Sequence, residues 1–247
     1  MGERRLFSYN AAMSSFVRLV CLALVMLGCS SEPLDGDSPS DTPPGNEPGL
    51  PPPADTSKAQ PSAPAAAVPY PSGPYGRTKG AIIQNLRFLG WRNAAAAGYD
   101  PARLDVISLS DFYNPDGTKD VRLIALNASA VWCTVCRAEY RQLERDGIYA
   151  KYRPKGVEIL GVLFEDADYE PARPSDLVVW GGPDGFDVPF PLVIDPAFKT
   201  GGYFSSDATP MNMLIDTRNM EILDISMGFD TSRPDVYWAA IDEWLSL

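Results

Sequence analysis

Two cysteines separated by two residues, Cys133 and Cys136, lie where a predicted strand is followed by a predicted helix. The apolar run 120–128 is typical of a buried strand, and 133–152 has the pattern of a helix with a kink at Asp146-Gly147. Two cysteines at this spacing on the first turn of a helix have sulfur atoms close enough to bond. The junction therefore predicts a helix that directly follows a sheet strand and carries a pair of sulfurs at its start.

The segments after this junction predict an α/β domain. Short apolar runs predict four more strands, at 157–164, 190–194, 211–215 and 220–225, and the last two form a hairpin. A closing amphipathic helix is predicted to begin near Pro234, with an inner face made of Tyr237, Ala240, Ile241, Trp244 and Leu245. Strand–helix–strand followed by hairpin–helix predicts a central mixed β-sheet flanked by helices.

The absence of histidine excludes several kinds of active site. The chain of 247 residues has no histidine, 32 acidic and 21 basic residues, and a formal net charge of −11. Without imidazole there is no Ser-His-Asp triad and no Cys-His protease pair. Two thiolates alone are two ligands short of a tetrahedral zinc site, so we predict no metal. The excess of acidic residues argues against nucleic acid as a partner.

The order of the two cysteines predicts a different role for each. The N-terminal thiol, Cys133, faces the unpaired amides and the positive dipole end of the helix, which favour the thiolate. A thiolate is the attacking species in thiol–disulfide exchange, and Cys136 then resolves the mixed disulfide. The pair is therefore predicted to be a redox-active disulfide that needs no other cofactor.

The N-terminal residues 1–28 have the parts of a secretory signal. Three arginines precede a nine-residue apolar run, 19–27, which at about 1.5 Å per residue covers less than half of a bilayer's ~30 Å core. The run ends at Met26-Leu27-Gly28-Cys29, which resembles a bacterial lipobox. This resemblance implies that Cys29 is lipidated and becomes the mature N-terminus. The alternative is an ordinary cleaved signal with Cys29 as an incidental thiol.

The next segment, 29–74, is predicted to be a disordered linker. Residues 30–74 contain 13 of the 24 prolines of the chain, with Ser, Gly, Asp and Ala as most of the rest. Such a composition buries too little apolar surface to offset the entropy of ordering. We therefore predict a lipidated cysteine and a proline-rich spacer before a single folded domain at 75–247.

The residues around the cysteine pair resemble a known family. The stretch NASAVWCTVCRAE (127–139), Lys151-Tyr152 and GVEILGV (156–162) resemble the thioredoxin fold, and most of all its TlpA/ResA-like branch of membrane-anchored thiol-disulfide oxidoreductases in the redoxin (AhpC/TSA-like) superfamily. The resemblance spans about 106–247, and ISLSDF (107–112) resembles the N-terminal strand hairpin that extends the fold in this branch.

This resemblance implies an activity and a location. The expected activity is thiol–disulfide exchange on protein substrates through the CxxC centre, with an upstream dithiol donor as a second partner. The expected location is a bacterial cell envelope, where the lipid-anchored domain faces the periplasm or the exterior.

The resemblance also implies roles for residues outside the CxxC motif. Pro210 of Ala208-Thr209-Pro210 corresponds to a cis-proline that lies against the active-site disulfide, and Thr209 offers its backbone to an extended substrate segment. Trp132, beside Cys133, is expected to be a substrate contact, although its size alone favours a place in the core.

One departure from thioredoxin concerns proton transfer. Thioredoxin has a buried aspartate six residues before the first cysteine, whereas this chain has Asn127, which cannot take a proton. Glu139, three residues after Cys136, is the candidate for this task, since the matching glutamate of the ResA-like branch is implicated in tuning the cysteines. The alternative for Glu139 is a solvated charge on the helix surface.

Two other functions remain open at this point. A peroxiredoxin-type peroxidase has threonine three residues before its reactive cysteine and proline four further upstream; before Cys136 these positions hold Cys133 and Ser129. A binding module with an inert structural disulfide is the other alternative, although closing a two-residue loop stabilises a fold very little.

Overall fold

The computed structural model describes residues 68–246. The predicted signal, Cys29 and most of the predicted linker lie outside this range. Within it, Tyr70, placed in the linker by the sequence, donates a hydrogen bond to the Ile83 carbonyl at 2.9 Å and packs on Tyr113. Contacts of the folded domain therefore include residues a few positions before 75. Between 68 and 246, no helix combines the length and the apolar character needed to cross a bilayer.

Within residues 68–246, seven strands form one sheet in the order β2-β1-β5-β4-β3-β6-β7. The strands are β1 (Arg87–Trp91), β2 (Asp105–Ser108), β3 (Leu123–Ala130), β4 (Val157–Glu165), β5 (Leu192–Ile194), β6 (Met211–Asp216) and β7 (Glu221–Met227). β3, β4 and β5 pair in parallel, whereas β6, β7 and the β1–β2 hairpin pair antiparallel with their neighbours. The predicted mixed sheet and its N-terminal hairpin extension are confirmed.

In the described part of the chain, four α-helices accompany this sheet: α1 (Thr134–Arg145), α2 (Ile148–Tyr152), α3 (Pro174–Gly181) and α4 (Val236–Leu245). The predicted helix 133–152 is divided into α1 and α2, because Gly147 has a positive φ of 57° that ends the first helix. The predicted kink is thus a complete break.

Helix α3 has no counterpart among the predicted elements. It begins at Pro174, and Asp176 Oδ2 accepts the backbone N–H of Arg173 at 2.6 Å. Its four consecutive apolar residues, 177–180, mask the helical pattern in the sequence, since Leu177 and Trp180, three positions apart, are buried although the equally apolar Val179 is exposed. The glycines that follow, Gly181 and Gly182, predict a turn, so the sequence pattern does not predict a helix here.

The inner face of α4 differs in part from the predicted one. Ala240 is exposed, whereas Trp238 and Ile241 are buried. The Trp238 ring packs on Tyr152 at a centroid distance of 5.0 Å, and the Tyr152 hydroxyl donates to the Trp238 carbonyl at 3.2 Å. This contact with α2 sets the rotation of the helix, which the heptad-like spacing alone does not determine.

Every residue of β3 is buried, and β4 is buried up to its last residue, so these strands form the centre of the core. α1 packs on them through Tyr140, whose ring meets Trp180, Phe186 and Phe190 at centroid distances of 4.9, 5.4 and 6.0 Å. Gly161 of β4 leaves space for this tyrosine. The packing fixes the start of α1 at the carboxyl end of β3.

Candidate active site

The structure joins Cys133 and Cys136 in a disulfide with Cα atoms 5.3 Å apart. Cys133 is the N-cap of α1, and its Sγ accepts the backbone N–H of Cys136 at 3.0 Å. The sulfur therefore lies at the positive end of the helix dipole, against a free amide of the first turn. The same N–H stabilises a thiolate when the bond is reduced. Both cysteines are buried, with 3% and 0% exposure.

The turn between β3 and α1 is held by hydrogen bonds at its backbone carbonyls and amides. Cys133 N–H donates to the Ala130 carbonyl at 3.1 Å, and Val131 N–H donates to the Glu165 carbonyl at 2.9 Å. The Arg137 guanidinium donates twice to the Val131 carbonyl, at 3.0 and 2.8 Å. The position of Cys133 is therefore fixed from both the strand and the helix.

The loop before β6 meets the disulfide, as the resemblance implies. The Thr209–Pro210 peptide bond is cis. The Thr209 carbonyl oxygen lies 4.0 Å from Cys133 Sγ, and Thr209 Oγ1 lies 3.6 Å from Cys136 Sγ. The hydroxyl donates its proton to the Ala128 carbonyl at 3.1 Å, which leaves its lone pairs as acceptors beside Cys136.

Glu139 is buried, with 4% exposure, so it is not the solvated surface charge considered as its alternative. Asn127 Nδ2 donates to Glu139 Oε2 at 2.7 Å, and Asn212 Nδ2 donates to Oε1 at 2.7 Å. The two asparagines face each other in the antiparallel register of β3 and β6, and Ser129 Oγ donates to Asn127 Oδ1. The carboxyl group is therefore bracketed by two amides from the sheet.

Burial raises the pKa of Glu139 from 4.5 to about 7, although the hydrogen bonds from Asn212 and Asn127 act in the opposite direction. Glu139 follows Cys136 by one helical turn and so lies on the same side of α1. It also lines a groove of about 460 Å³, whose other walls include Asn212, Asp224, Arg233 and Tyr237. The carboxyl group, with a pKa of about 7, therefore extends from the cysteine helix to the wall of an open groove.

Trp132 is half-buried beside Cys133. Its Nε1 donates to Glu165 Oε2 at 2.7 Å, and its ring stacks on Tyr169 with centroids 4.7 Å apart and an interplanar angle of 23°. The Tyr169 side chain is 66% exposed. Trp132 is therefore neither a fully buried core residue nor a freely exposed substrate contact. One face of its ring packs on Tyr169, and the stacked pair reaches the surface.

The structure brings six sequence-predicted residues together: Trp132, Cys133, Cys136, Glu139, Thr209 and Pro210. Three further residues of the site, Asn212, Glu165 and Tyr169, are not among those predicted from the sequence. The signal for Asn212 was present, since a polar residue between Met211 and Met213 in a buried strand requires a partner. Tyr169 lies in an irregular loop, and no periodicity or spacing identifies it.

A mixed sheet with a CxxC disulfide at the start of a helix and a cis-proline loop against it defines a thioredoxin-like fold with a dithiol site. Two solved structures share this fold. One is a protein assigned as thiol:disulfide interchange protein DsbE from Chlorobium tepidum, 22% identical, with a TM-score of 0.50 over 69% of this chain and 99% of that chain. The other is a protein assigned as a protein disulfide isomerase from Bacteroides thetaiotaomicron, 20% identical, with a TM-score of 0.51 over 70% and 93%.

Within this class, the chain is similar in sequence to ResA proteins. It is 32% identical to the thiol-disulfide oxidoreductase ResA of Bacillus cereus over 93 residues, 38% of this chain and 48% of the relative. It is 30% identical to ResA of Oceanobacillus iheyensis over 105 residues, 42% and 49%. The chain thus spans about half the length of the curated relatives it matches. No family model matches the chain. The predicted TlpA/ResA-like resemblance is confirmed.

Proposed function

We propose that this protein catalyses thiol–disulfide exchange on protein substrates through Cys133 and Cys136. The observation that supports this most directly is the Cys133 sulfur, which caps α1 and accepts the Cys136 amide N–H next to the Thr209–Pro210 loop. A structural disulfide has no need of a helix N-terminus, whereas a nucleophilic sulfur gains from one. The similarity to ResA proteins supports the same activity.

The proposed reaction begins with both cysteines reduced. The Cys133 thiolate attacks one sulfur of a substrate disulfide, forms a mixed disulfide, and releases the other substrate sulfur as a thiolate that takes a proton. Cys136 then loses its proton and attacks Cys133 Sγ, which releases the second substrate thiol and forms the Cys133–Cys136 bond. Two electrons pass from the protein to the substrate. The reverse sequence oxidises a substrate dithiol.

Glu139 is proposed to accept the Cys136 proton in the second step. A base works best when its pKa lies near the working pH, and burial brings that of Glu139 to about 7. The groove beside Glu139 gives the proton a route to solvent. Asn127 and Asn212 hold both carboxyl oxygens in place, so they are proposed as positioning residues for this step.

The surroundings of the disulfide are proposed to hold the substrate. The Thr209 carbonyl oxygen and hydroxyl, next to the cis bond to Pro210, lie 4.0 and 3.6 Å from the two sulfurs, and Trp132 directly precedes Cys133 in the chain. An extended substrate segment between them presents its sulfur to Cys133. The proposed partners are substrate proteins and an upstream dithiol donor, and the disulfide itself is the only redox group required.

We also propose that the protein works in a bacterial cell envelope, anchored through lipid on Cys29 and facing the periplasm or the exterior. The lipobox-like sequence and the ResA-like resemblance support this location. Replacement Cys29→Ser is expected to move the protein from the membrane fraction to the soluble fraction. Unchanged membrane association of this variant contradicts the anchor.

Single cysteine variants test the two roles in the proposed exchange. Cys136→Ser retains the nucleophile and is expected to accumulate mixed disulfides with its substrates, whereas Cys133→Ser is expected to trap none and to lose turnover. The double variant is the matched control. Mixed disulfides are detected on non-reducing gels, and turnover is measured by insulin reduction. Equal trapping by the two single variants contradicts the assignment of roles.

An insulin-reduction assay beside a hydrogen-peroxide assay separates the proposal from its alternatives. Thiol–disulfide exchange predicts rapid insulin reduction with little peroxide consumption. Peroxide consumption without insulin reduction identifies a peroxidase, and the absence of both identifies an inert disulfide.

A further inference from the structure

Trp132, proposed above as a substrate contact, stacks on a second aromatic residue, Tyr169, which has no role in the exchange reaction described so far. The rings of Trp132 and Tyr169, here called the aromatic platform, stack 4.7 Å apart beside Cys133. Glu165 accepts the indole N–H of Trp132 at 2.7 Å and so fixes the orientation of that ring. The Tyr169 side chain is 66% exposed, so most of its ring surface is open to solvent.

The loop that carries Tyr169 is held in one conformation. The Asp166 carboxylate accepts the backbone N–H groups of Asp168 and Glu170 at 2.8 and 3.0 Å, and Asp166 N–H donates to the Glu170 carbonyl at 2.8 Å. Tyr169 has a positive φ of 64°, which is costly for an aromatic residue and persists because these bonds enforce it. The loop therefore holds the Tyr169 ring at the surface, in a strained backbone conformation, against the residue that precedes Cys133.

The platform is surrounded by negative charge. Four of the six residues 165–170 are acidic, and the exposed Asp168 and Glu170 flank Tyr169 in sequence. Neither of these two residues forms an ion pair within 68–246. Arg173 pairs at 3.8 Å with Asp166.

The cation on the first turn of α1 is also engaged. The Arg137 guanidinium donates two hydrogen bonds to the Val131 carbonyl and lies over the Trp180 ring, 5.3 Å from its centroid. An exposed aromatic ring flanked in sequence by two carboxylates without an ion pair in 68–246 is complementary to a positive side chain.

We propose that the aromatic platform selects substrates with a lysine or arginine next to the reactive cysteine, and that Tyr169 is the specificity-determining residue. The inference rests on the proposed exchange function and adds the chemical class of its substrate. The cation lies over the Tyr169 ring, and Asp168 and Glu170 attract it from the rim. An acidic side chain at the same position is repelled by these carboxylates.

The test compares two peptides that differ in one residue. Each is a short peptide with a single cysteine followed by Arg or by Glu, used as its symmetrical disulfide. The reduced full-length protein is mixed with each peptide, and the second-order rate constant of disulfide cleavage is measured. Each rate is divided by the rate with dithiothreitol, because a neighbouring charge changes the intrinsic reactivity of the peptide sulfur.

The normalised Arg-over-Glu rate ratio of the wild-type protein is expected to be roughly tenfold at about 20 mM salt, and to fall severalfold at about 500 mM salt as the carboxylates are screened. Tyr169→Ala removes the ring and is expected to lower the ratio by roughly 2- to 5-fold, the contribution of a cation–π contact at an exposed site. Tyr169→Phe retains the ring face and the ratio.

A double variant Asp168→Asn, Glu170→Gln is expected to lose most of the salt dependence of the ratio. Tyr75→Ala, which removes another exposed tyrosine, is the matched control and retains the wild-type ratio. A wild-type ratio near one, or a ratio that Tyr169→Ala leaves unchanged, overturns the proposed specificity.

Cleavage of the small neutral compound hydroxyethyl disulfide distinguishes the two levels of the proposal. A wild-type protein that cleaves it but shows no Arg preference refutes the specificity alone. A wild-type protein that cleaves neither hydroxyethyl disulfide nor either peptide refutes the exchange function, and the specificity with it.

Discussion

Replacement Glu139→Gln tests whether the buried carboxyl group is protonated in the folded protein near neutral pH. Burial raises its pKa from 4.5, the ordinary value, to about 7. Between these two pH values the unfolded chain has lost the proton while the folded protein retains it. The free energy of unfolding therefore falls as pH rises through this window, by about 3 kcal/mol in total. This loss of stability is absent below about pH 4.5 and stays constant above about pH 7.

The variant removes this pH dependence. Glutamine does not titrate, so the unfolding free energy of Glu139→Gln relative to the wild type is expected to rise by about 3 kcal/mol between about pH 4.5 and pH 8. Glutamine also cannot accept hydrogen bonds from Asn127 and Asn212 on both sides, which adds a constant cost. This cost shifts the whole difference curve and leaves its shape unchanged.

The assay is urea unfolding of the oxidised proteins, followed by tryptophan fluorescence at several pH values. Glu144→Gln, which replaces an exposed glutamate of the same helix, controls for the loss of one negative charge. Other titrating groups are common to both proteins and cancel in the difference. A difference between Glu139→Gln and wild type that is constant from pH 4.5 to pH 8 refutes the argument.

Three further substitutions test the packing and the contacts around the disulfide. In Gly161→Ala the new Cβ lies 2.5 Å from Tyr140 Oη and 2.8 Å from Leu192 Cδ1, so the variant is expected to lose about 1–3 kcal/mol of stability in urea unfolding; wild-type stability contradicts the packing of α1 on β4. Asn212→Ala removes a donor to Glu139, so the Glu139 pKa is expected to rise above its value of about 7, as measured by carbon NMR of the labelled carboxyl group; a lower pKa contradicts the hydrogen bond. Thr209→Val removes an acceptor of the Cys136 thiol, which disfavours the reduced state and lowers the reduction potential by about 10–30 mV; an increase opposes this role.

The central part of the fold is predictable because its strands are buried on both faces. β3 and β4 are covered on both faces, so they appear in the sequence as continuous apolar runs that need no further context. The cysteine pair is predictable for a different reason, since its spacing on a helix start has few uses other than sulfur chemistry. Together these features locate the disulfide at the junction of β3 and α1.

The elements that sequence reasoning missed depend on contacts between distant segments. The orientation of α4 is set by Trp238 against Tyr152 from α2, which no local periodicity contains. The partners of Glu139 come from two strands that are 85 positions apart at Asn127 and Asn212. The place of Tyr169 follows from hydrogen bonds within one irregular loop.

The most direct test of the account is the redox equilibrium of Cys133 and Cys136 in the folded protein. The protein is equilibrated in mixtures of reduced and oxidised dithiothreitol, free thiols are captured with a maleimide, and the modified fraction is measured by mass. The account predicts one reversible two-electron transition while the fold remains intact. A disulfide that stays oxidised until the protein unfolds, or that does not re-form when the oxidant is restored, contradicts it.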